Sequence, residues 1–67
     1  MIETMLTIQS ATLAARKSTG DANVGTQVDC GRLQVVRAVP RPDGLFDITP
    51  LSGWMPIPQA VEYLRTM

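Results

Sequence analysis

The stretch RLQVVRAVPRPDGLFDITPL, residues 32–51, decides the fold. In RLQVVRAV, Leu33, Val35 and Val39 alternate with Val36 and Ala38, the period-two pattern of a strand that needs cover on both faces. PRPDG (40–44) then supplies turn chemistry. Proline fixes φ, the Asp43 side chain closes the turn, and Gly44 accepts positive φ. In LFDITPL, Phe46 and Ile48 alternate against Asp47 and Thr49, and Pro50 ends the strand or restricts it to an edge. A β-hairpin over 32–51 is the expected centre of the molecule.

Upstream, Thr26-Gln27-Val28 reads as a short third strand, joined through Asp29-Cys30-Gly31-Arg32 with Gly31 in a tight turn or bulge. Before it lies AARKSTGDANVG (14–25), which shares ARKS with histone tails and has the glycine spacing that opens a phosphate-binding loop. That loop requires a preceding strand and a Lys-Ser/Thr pair directly after its second glycine. Here Gly25 is followed by Thr26 and Gln27, so residues 18–25 are read as a plain loop. The segment before it, IETMLTIQSATLAARK, fits either period. Good helix formers at 13–17, cations in the last turn and Gly20 as a stop favour a helix over 3–17. Thr4, Thr7, Ile8 and Thr12 argue against it. The helical reading sets Met5, Ile8, Thr12 and Ala15 on one side, with Leu6 and Leu13 on the neighbouring stripe.

Downstream of Ser52-Gly53, Trp54, Met55 and Ile57 form a short extended lead into a helix over 58–66. Pro58 suits its first turn, and Ala60, Val61, Leu64 and Met67 make its apolar stripe. Together these elements predict a single α+β domain spanning 1–67. Its small antiparallel sheet of two to four strands lies between an N-terminal and a short C-terminal helix. Threading residues 31–64 into a small SH3-like β-barrel is the alternative architecture.

The chain has 67 residues, one cysteine and no histidine, so neither a disulfide nor a zinc cluster staples it. Its apolar content of 45% is too high for a disordered chain. A small unstapled domain buries such a surplus by association, and a homo-oligomer or a protein-bound state is expected. Without histidine, Ser-His-Asp and Cys-His arrangements cannot be built within one chain. Cys30 reads as an incidental or structural thiol, the acidic residues fall mostly at turns, and no cofactor or metal site is expected. The reading is therefore non-catalytic.

Two binding classes remain. Trp54, Met55, Ile57 and Tyr63 are the candidate protein interface, because aromatic and thioether side chains anchor such surfaces. The competing reading packs Trp54 under the C-terminal helix, where it closes the core. The second class is a nucleic-acid-binding barrel using Arg32, Arg37 and Arg41, against which Phe46 is read as core rather than as a stacking face. Zero net charge gives no general attraction to nucleic acid or anionic membrane. No stretch is long and apolar enough to span a bilayer, and no leader pattern is visible, so a cytoplasmic protein is expected. The expected role is that of an inhibitor, adaptor or regulator, of the kind common among accessory proteins of bacteria, phages and mobile elements.

Overall fold

The computed structural model describes residues 2–67, with the elements in the order α1 (Ile2–Thr19), β1 (Val24–Asp29), β2 (Arg32–Pro40), β3 (Phe46–Pro50), β4 (Met55–Pro56) and α2 (Ile57–Thr66). The threonines that argue against a helix are accommodated within it. The Thr7, Thr12 and Thr19 hydroxyls each donate to the carbonyl four residues back, on Glu3, Ile8 and Ala15, at 2.7–2.8 Å. Gly20 stops α1 with φ of 71°. The Asp21 carboxylate then accepts the Asn23 N–H at 2.9 Å and turns the chain sharply. That turn shortens the expected loop. β1 therefore begins at Val24, not at residue 26, and Val24 belongs to the core rather than to a loop.

The sheet is antiparallel and open, so the barrel alternative is replaced. β1 pairs with β2 along its whole length, from Val24 opposite Arg37 to Asp29 opposite Arg32. The two-residue loop Cys30-Gly31 joins them with φ of 50° and 74°, which is the type I′ turn that suits strand twist. A side chain at the first position of that turn is strained, and asparagine tolerates it better than cysteine does. Cys30→Asn should raise the unfolding free energy by about 0.5–1 kcal/mol, read from the urea midpoint under reducing conditions.

The other edge of β2 is shared. β3 covers its second half, with Ala38 opposite Ile48 and Pro40 opposite Phe46. β4 covers its start, with Leu33 opposite Met55. Between Pro50, opposite Val36, and Met55, opposite Leu33, five steps of chain match three of β2. Ser52 fills the gap this bulge leaves. Its hydroxyl accepts the Val35 N–H at 3.0 Å, and its carbonyl accepts the Gln34 side-chain amide at 3.1 Å.

Alternation along these registers defines two sheet faces. Val24, Thr26, Leu33 and Val35 share one, and both helices are spent on it. Its core joins Val24, Leu33 and Val35 to Ala11 and Ala15 of α1 and to Ala60, Val61 and Leu64 of α2. The helices run in the same direction. Thr4 and Thr7 lie beside Ile57 and Val61 near one end, and the Ser18 hydroxyl donates to the Met67 carbonyl at 2.7 Å at the other. Small residues let them approach closely. The consequence for α1 is an inverted distribution of sizes: alanines are buried, while Met5, Leu6 and Leu13 are about 60% exposed. Met5 thus does not share the buried side with Ile8 and Ala15 as the spacing suggests.

Candidate protein interface

The second sheet face carries Val36, Ala38 and Pro40 from β2 and Phe46, Ile48 and Pro50 from β3. Val36 is buried. Toward the β2–β3 turn the face opens, and every residue from Pro40 to Leu51 is exposed. Phe46 is 56% and Ile48 46% accessible, so Phe46 is not core, contrary to the expectation from its strand pattern. The pattern is real but the cover is incomplete: the core lies on the opposite face, and α1 walls only one side of the space beside Phe46. An open groove of about 730 Å³ runs between this face and α1; Ile8 and Leu13 line one side and Ala38, Pro40 and Phe46 the other. Leu13 and the Phe46–Ile48 pair are the surface residues that reasoning from sequence misses. Their signal was the alternation itself, which reports a sidedness without reporting which side is covered.

Residues 54–63 form a separate apolar surface. Met55 and Ile57 are half-buried and pack against the core, as extensions of β4 and the first turn of α2. Trp54 is 45% accessible and lies outside the core cluster. It does not close the core. Tyr63 lies on α2 with its hydroxyl donating to the Leu51 carbonyl at 3.1 Å, which ties the bulge to the helix. Among the four, then, Trp54 and Tyr63 present exposed surface while Met55 and Ile57 support it from below.

Two of the three candidate arginines are paired within the chain. Arg32 is exposed at the start of β2, beside the Cys30-Gly31 turn. Arg37 donates from Nε to the Asp21 carboxylate at 2.8 Å. Arg41 lies between Asp43 at 3.0 Å and Asp47 at 3.7 Å. Cys30 is exposed at its turn. Among the described residues no group of three or more histidine, cysteine or acidic side chains is placed to hold a metal ion, and no helix is long and apolar enough to cross a membrane.

The surroundings of Asp21 shift its carboxylate clearly. The Asn23 backbone N–H holds its pKa below the ordinary 3.8, partial dehydration opposes this, and the Arg37 guanidinium adds to the lowering. A folded-state pKa below the unfolded value stabilises the fold above that unfolded value, and the contribution disappears as pH falls through the folded one. Asp21→Asn keeps an oxygen for the Asn23 N–H but no charge for Arg37. The variant should be less stable than wild type at about pH 6, and the gap should close as pH falls below 3.8 and through the lowered folded-state pKa, in paired denaturant titrations.

The chain matches no known protein family, and neither a characterised protein nor a solved structure shows significant similarity to it.

Proposed function

We propose that this chain is a non-catalytic binding module that acts through protein–protein contact, as an inhibitor, adaptor or regulator that occupies a partner's surface. One observation carries the reading. Among the described residues, ten large apolar side chains are between 36% and 63% accessible, from Met5, Leu6 and Leu13 to Phe46, Ile48, Trp54 and Tyr63. Scattered apolar side chains are ordinary, but contiguous ones flanking a groove mark contact surfaces. Aromatic residues are also what protein interfaces select. Nucleic-acid binding through Arg32, Arg37 and Arg41 draws less support, since Arg37 and Arg41 are paired with in-chain carboxylates.

A photo-reactive phenylalanine analogue placed at Trp54, and separately at Phe46, tests the class of partner in living cells. The expected products are protein adducts, to this chain or to another, that resist nuclease. Adducts that vanish on nuclease treatment, or no adduct from either position, would remove the reading. Salt offers an independent check. Association through apolar surface should change little between about 0.1 and 0.5 M salt, whereas binding to phosphate backbones weakens steeply over that range.

A further inference from the structure

Resting on that reading, we infer that the partner of the open sheet face is a second copy of this chain, packed face to face over Ala38, Pro40, Phe46 and Ile48. β3 alternates apolar and polar residues as a half-buried strand does, yet all five of its residues are exposed. Among the described residues no element packs over Phe46 and Ile48, and α1 only walls the far side of the groove beside Phe46. In the inferred dimer the second copy supplies that layer.

Charge and area identify that layer. The six positions of β2 and β3 on this face, Val36, Ala38, Pro40, Phe46, Ile48 and Pro50, include no charged side chain. A twofold axis brings each patch against itself, so any net charge on the patch would meet its like. An uncharged patch avoids that repulsion, and the rim charge Arg41 already has in-chain partners in Asp43 and Asp47. The accessible surface is 4650 Å². A compact monomer of this mass exposes about 4,200 Å². The excess, about 450 Å², approaches the roughly 600 Å² per partner of a small stable interface. Two twisted sheets also pack well on each other, about 10 Å apart, with strands near-aligned.

Edge pairing is the competing way for sheets to join, and both edges oppose it. On β1 the Arg16 Nε occupies the Val24 carbonyl at 2.7 Å. Flanking β3, the Leu51 N–H donates inward to the Val35 carbonyl and the Leu45 carbonyl accepts the Arg41 N–H, so by alternation positions 46, 48 and 50 face the open edge. Pro50 has no N–H to offer there. Pairing two β3 strands about Asp47 would set its carboxylates directly opposite each other.

Sedimentation equilibrium on the wild-type chain and on Phe46→Glu, Ile48→Glu and Trp54→Glu tests the inference. The wild type should be a dimer at about 10 µM. Both face variants should weaken dimerisation by at least about 100-fold, because each places two buried charges in the interface. Trp54→Glu should remain dimeric. Should a glutamate variant lose its far-UV circular dichroism, Ile48→Thr and Phe46→Thr replace it, with an expected loss of at least about tenfold. A monomeric wild type overturns the inference, as does a dimer that ignores the face variants or one broken by Trp54→Glu alone. A monomer that still forms protein adducts from Phe46 in cells would end the second-copy inference while leaving the binding reading in place. A monomer that forms none ends both.

Discussion

Replacing Leu33 by alanine is expected to leave most molecules unfolded in dilute buffer. Leu33 is fully buried. It lies opposite Val28 of β1 on one side and Met55 of β4 on the other, within the cluster formed with α2. Truncating such a leucine costs about 2–5 kcal/mol, through lost transfer free energy and the cavity left behind. A domain of fewer than about 80 residues without a staple has about 3–5 kcal/mol in total. The two figures overlap, so the variant should show little cooperative transition in urea. Leu33→Met keeps the volume and should lose less than about 1.5 kcal/mol. A Leu33→Ala protein that melts within about 1 kcal/mol of wild type would mean that the helices do not rest on this face of the sheet.

The second large effect comes from adding volume. Ala15 is fully buried where α1 meets the core, in the same cluster as Ala11 and Ala60. Ala15→Leu should cost about 1–3 kcal/mol, or more where the two helices cannot separate, since a close-packed contact has no room for three further carbons. Helix propensity does not contribute, because alanine and leucine are both strong helix formers. Ala14→Leu provides the comparison: Ala14 is exposed on the same helix, and its replacement should leave the thermal midpoint within a few degrees of wild type. Equal losses at both positions would show that α1 and α2 do not pack through their small residues.

Much of this architecture is legible in the sequence, for identifiable reasons. Pro42-Asp43-Gly44 encodes its turn by local chemistry: the Leu45 N–H donates to Asp43 at 3.1 Å and Gly44 has φ of 85°. The end of α1 is equally local, with Arg16 and Lys17 in its last turn and Gly20 beyond it. The expected boundaries of both helices fall within about two residues of those observed. Features that depend on distant neighbours were not legible. Val24 looks like loop until the Asp21–Asn23 turn brings it under α1. β4 is two residues long and pairs only because the Ser52 bulge returns the chain to β2. Met5, Leu13 and Phe46 have the spacing of buried residues but lie outside. The buried cluster that joins the helices to the sheet runs through Ala11, Ala15 and Ala60, a tertiary contact that strand alternation does not report. In the candidate interface, the chemistry of Trp54 and Tyr63 is visible from residue type, whereas the Phe46–Ile48 surface needs the tertiary structure.

The parallel helix pair also bears on how the chain folds. The two hairpins meet partners close in sequence, so their loop-closure entropy is small and they form on a timescale of microseconds. The Ser18–Met67 hydrogen bond spans 49 residues. Docking α1 beside α2 therefore requires the most distant closure in the molecule and belongs to the late part of the folding reaction. Before that moment both sides of the sheet are bare, Leu33 and Val35 as well as Phe46 and Ile48. Speed of helix docking, rather than final stability, then sets how long a newly made chain remains prone to aggregate.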